Sequence, residues 1–150
     1  MSVFSGKNLV CVRGERTVFA GLDFTLEAGG ALVLIGHNGS GKSSLLRLMS
    51  GLLKPAQGTL NWDGEETGED PEAHGGRLHY VGHHDAVKPV LSVVENVSFW
   101  ASLRNGGGDT LDAAKTALDA FGIGHLTDVP GRFLSAGQKR RVNLARILAA

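Results

Sequence analysis

One short stretch, GHNGSGKS at residues 36–43, carries the residue types that bind anions. It has three glycines, two serines and a lysine in the pattern G-x-x-x-x-G-K-[ST]. Such glycines let the backbone curl until successive N–H groups point at one anion, and triphosphate is the anion that fits. Lys42 would reach the β- and γ-phosphates, and Ser43 would ligate Mg²⁺. The predicted binding residues are Gly36, His37, Asn38, Gly39, Ser40, Gly41, Lys42, Ser43 and Ser44.

The elements on either side of this loop are the ones that a phosphate site needs. Ala31–Ile35, ALVLI, is a continuous apolar run, which predicts a strand covered on both faces in a parallel sheet. Ser43–Leu53 has apolar residues at helical spacing, with Gly51 and Pro55 near its end. The order strand, glycine turn, helix places the positive end of a helix dipole at the predicted anion.

The rest of the first half is predicted to consist of short strands and a loop. Lys7–Val12 and Thr17–Leu26 mix Val, Phe, Leu and Thr on either side of the turn RGER. Gly58–Asp63 and Leu78–Gly82 indicate two further strands. The polar segment Gly64–Gly76 is expected to be an exposed loop.

The second half is predicted to be helical. Ser92 is placed to cap a helix, with Glu95 three residues on, and an apolar face follows as far as Trp100. Asp109–Phe121 is a second amphipathic segment, and a last helix begins at Ser135. We therefore expect one partial domain: a strand-rich nucleotide-binding part at 1–83, a helical insert at 84–128, and a final motif with its helix at 129–150.

Composition excludes some classes of partner. Fifteen Lys and Arg balance fifteen Asp and Glu, and no basic run occurs, so a nucleic-acid partner is not expected. Cys11 is the only cysteine, which excludes an internal disulfide. No apolar run approaches the ~18 residues of a spanning helix, so any membrane crossing would fall to another chain.

A second glycine motif, LSAGQ, follows the phosphate loop by some ninety residues. Alone it predicts only a serine cap that opens a helix. Together with the phosphate loop and the helical insert, it resembles the LSGGQ-type signature of ABC transporter ATP-binding subunits. In that family two subunits face head to tail, and the signature of each closes on the ATP held by the other. The signature residues would be Leu134, Ser135, Ala136, Gly137 and Gln138.

Three longer stretches resemble one subfamily, the haem exporter ATP-binding subunit of bacterial cytochrome c biogenesis. They are ERTVFAGLDFTLEAGGALVLIGHNGSGKSSLLRLMSGLLKPAQGTLNWDG, HYVGHHDAVKPVLSVVENVSFW and LSAGQKRRVNLARI. The features that favour this subfamily over a generic importer are Gly82-His83, Ala86-Val87-Lys88 and Ala136.

The resemblance implies a fold, cofactors and partners. The fold is an α/β P-loop NTPase of the ABC ATPase type, with a mixed sheet and a helical insert, incomplete at its C-terminus. The cofactors are ATP and Mg²⁺. The partners are a second ATP-binding subunit and a membrane permease on a separate chain, at the cytoplasmic face of the inner membrane. The implied function is ATP hydrolysis that drives an exporter for cytochrome c biogenesis, linked to haem.

Three departures from the family pattern affect the predicted site. Arg13 falls where the family usually stacks adenine on an aromatic ring, so we expect weaker base selectivity, unless Arg13 is a simple turn charge. His84 takes the place of a glutamine that senses Mg²⁺ and the attacking water, which makes it the candidate catalytic residue. No acidic residue follows Asp128, so the Walker B Asp and catalytic Glu are missing. We therefore expect a truncated chain that binds ATP and hydrolyses it poorly.

Several alternatives stay open. The chain could serve another ABC transporter, or bind ATP without turnover. An ABC-type ATPase that acts on nucleic acid is disfavoured by the neutral charge. A metal or haem site at His79, His83 and His84 lacks supporting spacing.

Overall fold

The computed structural model describes all 150 residues, and these divide into two compact units, Met1–His79 and Tyr80–Ala150. The first unit contains the sheet and the phosphate loop. The second contains three longer helices and the LSAGQ motif. None of the helices is at once long and apolar enough to cross a membrane.

The first unit is built on a four-stranded antiparallel sheet. Its strands are β1 (Val3–Arg13), β2 (Arg16–Glu27), β3 (Gln57–Trp62) and β4 (Glu65–Glu66), in the order β2-β1-β3-β4. The predicted hairpin around RGER and the predicted strand near residue 60 are confirmed.

One helix, α1 (Lys42–Ser50), packs against this sheet and carries the phosphate loop at its first turn. Leu45 and Leu48 are buried with Leu9, Cys11 and Leu60 of the strands. The helix ends at Gly51, whose φ of 81° is a left-handed conformation that favours glycine. Because the buried leucines lie one turn apart, the start of α1 is fixed in place by the core beneath it.

The loop predicted at Gly64–Gly76 is wrong, because the structure has β4, a 3-10 turn at Thr67–Glu69 and the helix α2 (Pro71–Arg77) there. Asp70 caps this helix by accepting a hydrogen bond from the Ala73 N–H at 3.0 Å, and Pro71 begins it. His74 is 2% exposed and its Nε2 lies 2.7 Å from the Met49 carbonyl oxygen. A cap and one buried contact therefore outweigh the two glycines that indicated a loop.

The strands predicted at Ala31–Ile35 and Leu78–Gly82 are also absent. Val33 and Ile35 are 75% and 91% exposed, so the apolar run is not buried. An extended segment becomes a strand only where a neighbour supplies its hydrogen bonds, and neither segment pairs with the sheet. The apolar pattern is typical of a buried strand, but strand formation also needs a pairing partner, and this segment has none.

The second unit packs three helices around one core: α3 (Val93–Arg104), α4 (Leu111–Ala120) and α5 (Ala136–Ala149). All three were predicted. Ser92 and Glu95 form the expected capping box, with Ser92 N donating to Glu95 Oε2 at 2.7 Å and Glu95 N donating to Ser92 Oγ at 3.2 Å. The core residues are Val93, Val94, Val97, Ala101, Ala114, Ala117, Leu118, Ile123, Leu134, Val142, Ala145 and Ala149.

Candidate nucleotide-binding site

The phosphate loop is curled by two glycines in left-handed backbone conformations. Gly39 has a φ of 86° and Gly41 a φ of 103°. A Cβ at Gly41 would lie 2.7 Å from Val18 Cγ1, so this position needs glycine for both its backbone and its space. Ser40 N donates to the His37 carbonyl oxygen at 3.2 Å, which closes the turn.

The start of α1 leaves main-chain donors for an anion. Gly41 is its N-cap and provides no side-chain acceptor, and the first turn has no acidic residue. The first N–H groups of a helix have no partner inside the helix, and the helix dipole makes that end positive. Lys42 Nζ donates to the Gly36 carbonyl oxygen, so the ammonium group lies across the loop. The arrangement is suited to bind phosphate oxygens.

A cavity of about 530 Å³ opens beside the loop. Four cationic side chains line it: Arg13 and Arg16 from the hairpin, and Lys42 and Arg47 from α1. None of them forms an ion pair with a carboxylate. The other lining residues are Val18, Asn38, Gly39, Gly41, Ser43 and Ser44.

The structure places most of the predicted phosphate residues at this cavity. The other three belong to the turn but do not line the cavity: Gly36, His37 and Ser40. The Gly36 carbonyl oxygen accepts from Lys42, and the His37 carbonyl oxygen accepts from the Ser40 N–H, so these residues stabilise the loop. Ser40 Oγ is buried without a hydrogen-bond partner, and a Cβ at Gly36 would lie 2.6 Å from it. The loop is therefore packed closely on its inner side.

The LSAGQ motif begins α5 in the second unit. Ser135 is the N-cap, and its backbone N donates to Gln138 Oε1 at 2.8 Å while Gln138 N donates to Ser135 Oγ at 3.2 Å. Leu134 is buried at 8% exposure, whereas Ser135, Ala136 and Gly137 are exposed. The motif is therefore anchored by its leucine and presents a helix start to its surroundings.

With both motifs located, comparison with known proteins decides the family. The family model described as ABC transporter matches residues 19–150. A cytochrome c biogenesis ATP-binding export protein CcmA from Paramagnetospirillum magneticum is 65% identical over 150 residues, which are 99% of this chain and 69% of that protein. This chain belongs to the ABC transporter family, among the cytochrome c biogenesis ATP-binding export proteins.

Other relatives agree with this ABC transporter assignment. The protein of the same description from Rhodospirillum rubrum is 60% identical, and the chain covers 63% of its length. A solved structure of a putative ABC transporter ATP-binding protein from Pyrococcus furiosus has a TM-score of 0.84 at 26% identity, over 99% of this chain and 70% of that one. The chain thus spans about two thirds of the proteins it matches, and the predicted resemblance and fold class are confirmed.

In this ABC transporter chain, His84 lies in an exposed segment. Its ring packs edge to face against the ring of His83, with 5.3 Å between the ring centroids. No three His, Cys, Asp or Glu side chains are grouped to hold a metal ion, so His79, His83 and His84 form no such cluster. The structure shows no contact of His84 that defines a role for it.

The segment that carries His84 is fastened to α5. Arg140 Nη1 donates to the Gly82 carbonyl oxygen at 2.7 Å and to Asp85 Oδ1 at 3.1 Å. Asn143 Nδ2 donates to the same Asp85 oxygen at 3.0 Å, and Arg146 Nη2 donates to the Tyr80 carbonyl oxygen at 2.9 Å. These donors lie at helical spacing on one face of α5.

Arg146 is more deeply placed than Arg140, although less so than the buried Asn143. Its guanidinium lies 5.2 Å from the centroid of the Trp100 ring, and the Trp100 indole N–H donates to the Ala86 carbonyl oxygen at 3.2 Å. Burial lowers the pKa of Arg146, and the Asp85 carboxylate partly opposes this effect. The group remains charged at neutral pH.

Sequence reasoning missed Arg16 and Arg47 at the cavity, and Asp85, Arg140 and Asn143 beside the His84 segment. The hairpin register gave one available signal, because it pairs Arg16 directly with Arg13. The others depend on how helices pack and left no signal in local sequence.

Proposed function

We propose that this chain binds Mg-ATP in the phosphate loop and serves as the ATP-binding subunit of an exporter for cytochrome c biogenesis. The observation that supports it best is the glycine-curled loop at the start of α1, beside a cavity lined by four unpaired cations. The ABC transporter family hydrolyses ATP, and relatives at 60–65% identity are described as cytochrome c biogenesis ATP-binding export proteins.

The phosphate loop supplies the binding groups. N–H groups between His37 and Ser44 would donate to the terminal phosphates, and Lys42 would exchange its Gly36 contact for a phosphate oxygen. The Ser43 hydroxyl lines the cavity and would be one protein ligand for Mg²⁺, which retains several waters and is otherwise bound through substrate phosphates. The bound ion would neutralise phosphate charge. Arg13 would lie against the nucleotide beyond the phosphates.

The signature would act on the ATP of a second subunit in a head-to-tail dimer. The exposed start of α5 offers the Ser135 hydroxyl and N–H groups around Gly137 and Gln138 to a γ-phosphate. Leu134 would anchor the motif, and Ala136 leaves its backbone accessible. His84 would contact the attacking water, with its segment held by α5.

The membrane partner would be an integral permease on another chain. It would contact the second unit near His84 to Trp100, where Phe99 is 39% exposed and a groove of about 410 Å³ lies between α3 and the start of α4. The subunit would then lie peripherally at the cytoplasmic face of the inner membrane, without nucleic acid, and the exported species would be linked to haem.

The primary test is a titration with fluorescent Mg-ATP. Lys42→Ala should weaken binding by about tenfold or more, since a charge-assisted hydrogen bond contributes roughly 1.5–3 kcal/mol. Lys7→Ala is the matched control, because Lys7 is an exposed lysine of β1 that does not line the cavity. Equal affinity for Lys42→Ala and Lys7→Ala, with both variants folded, would contradict the proposed site.

The dimer and the membrane partner need separate tests. A subunit with Lys42→Ala and a subunit with Ser135→Ala should together form one intact composite site, so their mixture should bind more nucleotide in a closed dimer than either variant alone. Co-purification with an integral membrane protein should decrease in Phe99→Asp, while binding of Mg-ATP is unchanged. If Phe99→Asp still retains the membrane protein, the proposed contact at Phe99 is wrong.

A further inference from the structure

Two neighbouring histidines, His83 and His84, are exposed on a segment whose chain is held on both sides of them. Just before the pair, the Gly82 carbonyl oxygen accepts a hydrogen bond from Arg140 Nη1 at 2.7 Å. Just after it, Asp85 Oδ1 accepts from the same Arg140 nitrogen at 3.1 Å. One guanidinium nitrogen of α5 therefore bridges the two residues that flank the pair.

The carboxylate of this bridge is itself held by a second donor. Asn143 Nδ2 donates to the same Asp85 oxygen at 3.0 Å, and Asn143 is 3% exposed. The side chain of Asp85 is 20% exposed, so it lies inward of the histidines beside it. A carboxylate that accepts from one charged and one buried neutral donor has few rotamers left to it, because charge-assisted hydrogen bonds are about twice as strong as neutral ones.

The two histidine rings are not held in this way. Their rings contact each other, with 5.3 Å between the ring centroids, and neither ring forms a hydrogen bond. A fixed main chain that carries exposed side chains is typical of residues that bind or react, which often lie on loops held by a rigid scaffold.

Stability alone does not account for the position of Arg140. Its side chain is 44% exposed, and ion pairs that are open to solvent contribute little to the free energy of unfolding. Both of its acceptors belong to the short exposed segment and neither belongs to the apolar core. Its main effect is therefore on the geometry of that segment.

We infer that Arg140 and Asp85 are positioning residues for the histidine pair. By fixing the chain on both sides of the pair, they present the His84 ring to the attacking water that the proposed function assigns to it. This assignment rests on the proposed function, because without bound nucleotide His84 has no water to contact. Arg140 lies in the second turn of α5, whose N-cap is Ser135, so the signature and the support of the histidine pair belong to one helix.

The first test measures the support itself by amide hydrogen exchange in the full chain. Arg140→Ala should speed the exchange of the amides at 81–86 by about two- to fivefold. Arg141→Ala is the matched control, because Arg141 is the next residue of α5, is exposed, and makes no contact with the segment. Equal exchange in Arg140→Ala and Arg141→Ala would show that Arg140 does not hold the segment, and would refute the inference.

The second test follows the His84 ring by NMR, with ¹³C at Cε1 of the six histidines and His84→Gln to assign its signal. Mg-ATP should shift this signal in the wild type. Arg140→Ala should bind fluorescent Mg-ATP within about twofold of the wild type, because Arg140 does not line the cavity, yet lose about half or more of the His84 shift. Arg140→Lys, which keeps the charge and a donor, should recover part of it, whereas Arg141→Ala should respond as the wild type does.

The outcomes separate this inference from the proposed function. If no Mg-ATP binds saturably, the nucleotide site is wrong and the inference falls with it. If Mg-ATP binds but leaves the His84 signal unmoved, or moves it equally in the wild type and in Arg140→Ala, the nucleotide site stands and the positioning role is wrong. A loss of the shift that follows only the thermal melts of the variants would also overturn the inference, since it would show a purely structural effect.

Discussion

Asn96 gives the sharpest prediction for the second unit, because one buried amide holds the whole turn before α3. Its side chain is 2% exposed. Its Oδ1 accepts from the Lys88 N–H at 2.7 Å, and its Nδ2 donates to the carbonyl oxygens of Lys88, Leu91 and Ser92 at 3.1, 3.2 and 3.0 Å. Truncation to alanine removes all four hydrogen bonds.

The magnitude follows from what each partner retains. The three carbonyl oxygens keep another donor: Leu91 N for Lys88, Gly131 N for Leu91, and Asn96 N for Ser92. The Lys88 N–H keeps none. Loss of the acceptor of this part-buried donor costs about 1–3 kcal/mol, and the lost bonds to carbonyls add about 1 kcal/mol more. We expect Asn96→Ala to lower the free energy of unfolding by about 2–4 kcal/mol.

The two tryptophans allow this loss to be assigned to one unit. Trp62 lies in the first unit and Trp100 in the second. Denaturant unfolding should be followed by fluorescence in Trp62→Phe and Trp100→Phe backgrounds. Asn96→Ala should lower the midpoint reported by Trp100 more than that reported by Trp62. Asn105→Ala is the matched control, since Asn105 is exposed at the other end of α3.

A second substitution tests the direction of the hydrogen bonds. Asn96→Asp keeps an acceptor for the Lys88 N–H but places a carboxylate against three carbonyl oxygens. It should be less stable than Asn96→Ala at neutral pH, and should recover stability as the pH falls and the carboxyl group gains a proton to donate. If Asn96→Ala costs no more than Asn105→Ala, the reasoning from unsatisfied donors is refuted.

Three further predictions concern single positions. Gly58→Ala should destabilise the first unit by about 2 kcal/mol or more in denaturant melts, because its φ is 90° and a Cβ would clash with a backbone carbonyl of β1; an unchanged midpoint would contradict this. The Val3 N–H lowers the pKa of Asp63 below its ordinary 3.8, so its contribution to stability is present above that pH and lost as the pH falls through the lower folded-state pKa. Asp63→Asn should therefore flatten the acid limb of a pH–stability curve, and an identical limb would rule this out. Asp85→Ala should cost about 2 kcal/mol in the Trp100-monitored melt, because it leaves the buried Asn143 amide without its acceptor; Asp85→Asn, which keeps an acceptor, should cost less.

Local signals in the sequence predicted most of the fold. The capping box at Ser92 and Glu95, the RGER turn and the helical spacing after Lys42 each depend on residues within one or two turns of each other. The ALVLI run failed because strand formation depends on a neighbour from elsewhere in the chain. The helix at Pro71–Arg77 was missed because its two glycines indicated a loop. The contact of the buried His74 with the Met49 carbonyl oxygen, which stabilises the helix, leaves no signal in the local sequence.

Part of the candidate site could likewise be predicted from local sequence, and part of it depends on residues that are distant in the chain. The glycine turn and the helix start at Lys42 could be predicted because the residues that form them are contiguous, and their binding of phosphate stays a prediction. The cavity beside it was not, since it joins two arginines of the hairpin to one of α1 only after the sheet and helix have packed. The roles of Arg13, His84 and the signature residues stay predictions.

The attachment of the Tyr80–Asp85 segment to α5 has a mechanical consequence. The helix is unbroken from Ala136 to Ala149, with the signature serine at its start and Arg146 about 16 Å further along. If a helix of that length moves as a rigid body, a tilt of about 7° about its first turn displaces the Arg146 guanidinium by about 2 Å. A displacement of the first turn would therefore be transmitted to the Tyr80–Asp85 segment without a change in secondary structure.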